Sequence, residues 1–393
     1  MPGTGKTFLR VAVLFAIVAI VASACSGTAT PAPSGGPPGS PSSSGSPASS
    51  IAPSAGSDDL AVLVAAAEKE GSLTTIALSH DWCNYGEAIK TFTTRYAIAI
   101  NELNPDAGFG DQVSAIKANK DKGPQAPDVI DVGLSFGAKA KADGLLAPYK
   151  VGTWDSIPDA AKDPDGFWYG DYYGVLAFET NKTKGATPPT DWADLLDPSH
   201  ANQVALAGDP RVSSQAIQTV YAAALANGGS LDNAKPGLDF FAKLKKAGNL
   251  VTTIASPDTI DQGTTPVTIR WTYSALAHRD SANGSPDIDV TVPTSGRLAG
   301  MYVQAISAYA PHPNAARLWM EFLYSDEGQN IWLKGYCNPI RFEDLASGNA
   351  IPADVLANLP DTAGAVFPTL DQLTTATTLI TQKWNSVVGV DIK

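Results

Sequence analysis

Residues 167–181, FWYGDYYGVLAFETN, constrain the fold of this chain more than any other stretch. Five aromatic rings (Phe167, Trp168, Tyr169, Tyr172 and Tyr173) crowd around Gly170 and Asp171, and an apolar run then continues to the polar Asn181. Rings this dense beside glycines either fill a core or line the wall of a cleft. The apolar run, at about 3.3 Å per residue, is long enough to pass from one lobe to another. Two arrangements follow. The stretch is either a hairpin packed in a single core or a strand crossing between two lobes, with its rings near the cleft mouth. The crossing strand is the expectation.

At 393 residues the chain can build two domains with full cores. Its net charge of −12, with no basic block, argues against a nucleic-acid partner and against an electrostatic membrane patch. Residues 1–24 read as a targeting segment. Lys6 and Arg10 supply the positive end, residues 11–21 form an apolar core too short to span a bilayer comfortably, and Ala22-Ser23-Ala24 precede Cys25. This run resembles a bacterial lipobox, with Ala22 where leucine is usual. The resemblance implies cleavage before Cys25, acylation of that cysteine and anchorage at the outer face of the cytoplasmic membrane. Gly3-Thr4-Gly5-Lys6-Thr7 imitates the tail of a phosphate-binding loop but lacks the preceding strand and the earlier glycine.

Residues 25–57 carry Cys25 and then almost only Ser, Pro, Gly, Ala and Thr. Such a composition cannot offset chain entropy, so a disordered tether is expected. Cys83 and Cys337 are the remaining cysteines. In an exported, oxidising setting they are expected to form a disulfide, with two separate thiols as the alternative. Paired Cys or His spacing for a metal is absent, and no cofactor is expected.

From residue 60 onward helices and strands alternate. Helices are expected over 60–70, 87–96 and 111–122, and strands over 73–78, 98–103 and 128–133. Alternation of this kind predicts a parallel sheet with ligands collecting beyond the carboxyl ends of the strands, at loops 79–85 and 134–137. Later strands are expected at 203–207, 267–271, 289–292 and 301–309. Helices are expected at 238–247, 315–324 and 327–334, with a helical last stretch of about 40 residues.

Several segments, in order, resemble the solute-binding proteins of bacterial ABC importers, close to the group that binds iron, polyamines, thiamine and phosphonates. They are Ala65-Ala66-Ala67-Glu68-Lys69-Glu70-Gly71-Ser72-Leu73, Pro127-Asp128-Val129, Gly144-Leu145-Leu146-Ala147-Pro148-Tyr149, and the stretch from Tyr169-Gly170 through Asn181. Ala310-Pro311-His312-Pro313-Asn314-Ala315-Ala316 and Phe322-Leu323-Tyr324-Ser325-Asp326-Glu327-Gly328-Gln329 complete the set. The resemblance implies an α/β, two-lobed, periplasmic-binding-protein-like fold of type II, each lobe a mixed sheet flanked by helices and joined by crossing hinge strands. Lobe 1 would span 58–178 and 293–325, and lobe 2 would span 179–292 and 326–393. It further implies a monomer that catalyses nothing, captures a small molecule and hands it to ABC permease subunits.

Candidate ligand-binding residues follow from that frame. His80, Asp81, Trp82 and Tyr85 come after the first strand, Ser135 and Phe136 after the third, and Tyr169, Asp171 and Tyr172 before the hinge. From lobe 2 come Ser213, Ser214 and Gln215 at a helix start, and Arg270, Trp271 and Tyr273 where iron-binding relatives carry adjacent tyrosines. Each has a structural alternative: Ser213 as an N-cap, Trp271 in a core, Arg270 paired within its lobe and His80 as a loop residue. Asp81 and Asp171 among Trp82, Tyr85, Tyr172 and Trp271 suit an amine or polyamine, the favoured solute. Ser213, Ser214 and Arg270 suit a phosphonate, phosphate ester or carboxylate. Ferric iron could draw on His80 and Tyr273, but residues 133–136 offer no acid and Thr272 separates Trp271 from Tyr273. An exported hydrolase built on His80, Asp81 and a serine is the competing class, and no nucleophile-elbow or zinc-helix motif supports it.

Overall fold

The computed structural model describes residues 57–393 except 106, 121 and 122. The targeting segment, Cys25 and nearly all of the tether lie outside the described residues. The strands, in chain order, are β1 (Ser72–Ile76), β2 (Ala99–Leu103), β3 (Val129–Gly133), β4 (Leu146–Ala147), β5 (Tyr169–Gly174) and β6 (Leu176–Asn181). Then come β7 (Val204–Leu206), β8 (Val267–Trp271), β9 (Ile288–Thr291), β10 (Gly300–Ser307) and β11 (Asn338–Pro339).

They divide between two lobes. In lobe 1, β1 pairs with β2, and a second sheet runs β11-β5-β10-β3 with β4 also on β10; in lobe 2 the order is β7-β8-β6-β9. β5 and β6 are separated by Val175 alone yet belong to different sheets. The aromatic, glycine-punctuated stretch is therefore the crossing strand, and a hairpin within one core is excluded. Val175 is itself anchored, its carbonyl accepting from the backbone N–H of Thr272 at 2.9 Å. The chain returns to lobe 1 between β9 and β10.

Two expectations are corrected. Among these strands parallel pairing is confined to β1–β2 and β7–β8, whereas β3, β4 and β5 all pair antiparallel with β10. The late strand β10, arriving from the far end of the chain, takes the central place that a parallel neighbour would fill. Residues 326–345 also belong with lobe 1: β11 pairs with β5, and Trp332 of helix Asp326–Lys334 packs its ring 4.8 Å from Tyr85 and 5.3 Å from Tyr172. The last helix, Leu370–Val387, and the residues after it join lobe 2. There Trp384 closes a file of rings through Phe241, Phe240, Trp192 and Phe178, spaced 5.4 to 5.8 Å apart.

Cys83 and Cys337 form a disulfide across 254 residues of sequence, with Cα atoms 5.6 Å apart. It ties loop 77–84 to the end of helix Asp326–Lys334. A Cβ on Gly335 would stand 2.6 Å from the Cys83 carbonyl carbon, so the two backbones already touch. A cross-link closing so long a loop restricts the unfolded chain strongly. Replacing both cysteines by alanine is expected to lower stability by about 2–4 kcal/mol. Denaturant midpoints that coincide for the two proteins would show that the cross-link contributes nothing.

Candidate functional site

A cavity of about 770 Å³ opens between the lobes. Lobe 1 contributes the loop after β1 (His80, Asp81 and Trp82), Tyr302 of β10, and Lys334 with Tyr336 beyond the disulfide. Lobe 2 contributes Gln215, the end of β8 (Arg270 and Trp271), and one side of helix Thr272–Ala282, with Tyr273, Ser274 and His278. The first loop is held in a particular shape. Ala77, Cys83 and Asn84 all have positive φ (59°, 46° and 65°), a region that side-chain-bearing residues rarely occupy. The Asn84 amide pins it by donating to the Ile331 carbonyl at 3.3 Å.

The aromatic lining is built on two glycines. Gly174 and Gly300 are register partners at the hinge end of the lobe 1 sheet. A Cβ on Gly300 would fall 2.0 Å from the Trp271 ring, and one on Gly174 would fall 2.6 Å from the Tyr273 ring. Bare backbone on the hinge strands is what lets both lobe 2 rings pack against them, stacked 6.3 Å apart at 19°. Opposite them, Trp82 meets Tyr302 edge-on at 5.1 Å, and Tyr302 stacks on Tyr172 at 5.3 Å. Gly300→Ala is therefore expected to push Trp271 into the cavity and weaken solute binding about tenfold, at a stability cost of about 1–3 kcal/mol. A titration in which the variant binds like the unmodified protein would show that the ring's position is immaterial.

Electrostatically the lobe 2 wall is a cluster around Glu179, whose side chain is fully buried. Arg270 Nη1 donates to Glu179 at 3.2 Å, and His278 Nδ1 bonds the other carboxylate oxygen while its Nε2 lies 3.2 Å from Asp261. The Glu179 bond holds the His278 imidazole above its ordinary range, with further support from both carboxylates' charges. Two cavity-lining residues of this lobe carry a buried polar atom without a hydrogen-bond partner, Gln215 Nε2 and Arg270 Nε, whereas Trp271 and Tyr273 reach the Tyr302 hydroxyl. Both can donate. Burial first, then the nearby Tyr302, raises the Tyr273 hydroxyl well above the usual range, so it stays protonated.

Beneath the lobe 1 wall lies a buried polar network. Tyr85 and Tyr172 donate their hydroxyls to Asp131 Oδ2 at 2.7 and 2.9 Å, and Gln304 Nε2 donates to Tyr85 Oη at 2.6 Å and to Asp171 Oδ2 at 3.1 Å. Burial pushes Asp131 up to about 7 and Asp171 well above the carboxylate range, the latter also through the Asp131 charge.

The structure therefore sorts the sequence-predicted residues into groups. His80, Asp81, Trp82, Gln215, Arg270, Trp271 and Tyr273 line the cavity. His80 does so with its side chain 57 % exposed and its Nε2 2.7 Å from Glu102. Tyr85, Asp171 and Tyr172 belong to the buried network instead, and Tyr169 packs in the lobe 1 core between Trp154 and Tyr324. Ser213 caps helix Ser214–Ala226, accepting from Ala216 N–H at 3.4 Å. Ser135 and Ser214 meet across a separate gap of about 20 Å³, room for about one water. Phe136 rests its ring 5.6 Å from Phe109, away from the cavity.

Sequence reasoning missed His278, Tyr302, Lys334 and Tyr336. The disulfide expectation held the signal for the last two, because a Cys83–Cys337 bond necessarily carries residues 334–336 to the loop after β1. His278 had none, since only the helix after β8 turns it toward Glu179.

Comparison with known proteins fits this geometry. Residues 125–374 match the family of bacterial extracellular solute-binding proteins. No curated protein sequence matches the chain. Among solved structures, iron-bound HitA from Pseudomonas aeruginosa is 21% identical with a TM-score of 0.61, covering 81% of this chain and 99% of its own. The periplasmic binding protein AfuA from Actinobacillus pleuropneumoniae, with fructose-6-phosphate bound, is 22% identical with a TM-score of 0.59, covering 81% and 98%. A putative spermidine/putrescine ABC transporter protein from Listeria monocytogenes is 14% identical with a TM-score of 0.56, covering 80% and 99%. These likenesses establish a periplasmic-binding-protein-like fold. With two lobes around an aromatic cavity and a family match over most of its folded part, the chain belongs to the bacterial extracellular solute-binding proteins.

Proposed function

We propose that this protein is the solute-capturing component of an ABC importer, moored through an acylated Cys25 and its tether, and that its solute is a small anion. The observation that carries the anion is the pair of partnerless donors on Gln215 and Arg270. Buried donors without acceptors cost free energy in the empty protein, and a phosphate ester, phosphonate or carboxylate supplies the acceptors they lack. The catalytic alternative gains no support, because His80 bonds Glu102 and no serine of the cavity wall is hydrogen-bonded to a histidine side chain among the described residues.

The favoured amine loses part of its basis: of its two carboxylates, Asp171 is buried beneath the wall and only Asp81 is exposed at the cavity. Asp81, lining the same cavity as Trp82, Trp271 and Tyr273, is what still favours a cation. A thermal-shift panel separates these readings, since a ligand that binds only the native state raises its melting temperature. Phosphate esters, phosphonates and small carboxylates are expected to raise it, with a change in tryptophan fluorescence from Trp82 and Trp271. A response to putrescine and spermidine alone, or to ferric iron alone, would replace the anion.

A further inference from the structure

A second cavity, of about 440 Å³, lies on lobe 1 beside the hinge and shares no lining residue with the interlobe cavity. Its walls come from β5, β11, helix Phe342–Ser347 and the segment 356–367 that leads back to lobe 2. Tyr173, Ile340, Phe342, Leu359 and Phe367 make it largely apolar, and Leu356 stands 48% exposed on its lining. In size it falls within the range that holds a small organic ligand.

Two polar features mark it as more than a packing gap. Asn338, the register partner of Tyr173, lines the cavity with only 2% of its surface exposed, and its amide nitrogen has no hydrogen-bond partner. The charged groups on the lining are both acidic, Glu343 and Asp361. Asp361 is paired with Arg297 at 3.2 Å, while Glu343 has no ion pair among the described residues. No lysine or arginine lines the site. A ligand there needs an apolar body, an acceptor for the Asn338 amide and a positive charge for Glu343.

We propose that this hinge-side cavity is a second ligand site, selective for small apolar amines that carry a hydrogen-bond acceptor, and independent of the solute cavity. Its test uses 5-hydroxytryptamine as the probe in calorimetric titration of the folded protein. Tryptamine lacks the hydroxyl, 5-hydroxyindole lacks the amine, and 5-hydroxyindole-3-acetate reverses the charge. The probe is expected to bind more tightly than all three. Glu343→Gln should weaken the probe about fivefold, the upper end for an exposed charge pair, and leave 5-hydroxyindole unchanged. Asn338→Leu should erase the preference for the probe over tryptamine, and Leu359→Trp should fill the space and abolish binding. Arg270→Ala, in the other cavity and on protein shown to be folded, should leave probe binding intact. Should Leu359→Trp fold poorly, the Asn338→Leu discrimination decides alone. Absence of probe binding, equal binding of the acetate, or loss of binding in folded Arg270→Ala would overturn the proposal.

Discussion

Replacing Arg270 by alanine is expected to lower affinity for the anionic solute by on the order of 100-fold, the usual scale for truncating one member of a buried, hydrogen-bonded charge pair. Arg270 sits at the end of β8 with its side chain 15% exposed. Among the described residues its guanidinium forms one hydrogen bond, to Glu179, and its Nε has no partner. An arginine so placed is already desolvated and held, so little ordering remains to oppose binding. Removal also leaves Glu179 buried with His278 as its sole remaining ion partner, so the variant will be less stable, and affinity must be read on protein shown to be folded. Arg270→Lys keeps the charge but loses the planar fork, and should recover part of the affinity. Unchanged anion affinity in Arg270→Ala would remove the anion proposal. A gain of affinity for putrescine would install the amine in its place.

How far the sequence could carry these conclusions depended on whether the deciding interaction was local. The crossing strand was legible because glycines, rings and an apolar run follow one another in a single stretch, and β5 and β6 need only Val175 between them. The loop after β1 and the end of β8 were legible as cavity walls because strand ends in α/β lobes are where ligands collect. Tyr85, Asp171 and Tyr172 read as ligand residues because aromatic rings beside acids look alike at a cleft and in a core. What separates the two is Gln304, which arrives on β10 more than a hundred residues later and closes the network from the far side. The parallel-sheet expectation failed for the same reason, since β10 pairs with strands it follows at long range. The placement of residues 326–345 in lobe 1 turned on Trp332 meeting Tyr85 and Tyr172, again a contact that no local pattern announces.

That network makes stability depend on pH in a direction opposite to that of an ordinary carboxylate ion pair. Asp131 Oδ1 and Gln304 Oε1 are both buried acceptors without donors, and the two residues are register partners on β3 and β10. A proton on Asp131 provides the donor that this pair of acceptors lacks, which is consistent with burial raising the group to about 7. A carboxyl that binds its proton more tightly in the native state stabilises the fold fully below its unfolded value, near 3.9, and loses that contribution as pH rises through the native value. The contribution of Asp131 is therefore lost as pH rises from about 4 through about 7. Asp171, raised by burial and by the Asp131 charge, acts in the same direction, as does His278 above its own ordinary range. Carboxylates held low, such as Asp191 and Asp209, lose their contribution below that window and do not mask it. Asn at position 131 copies the protonated acid, accepting from both tyrosines while offering an amide donor to Gln304. Asp131→Asn is thus expected to match the unmodified protein near pH 4.5 and to be the more stable of the two at pH 8. Denaturant midpoints across that range provide the measurement, and parallel pH profiles for the two proteins would mean that Asp131 is ionised in the fold.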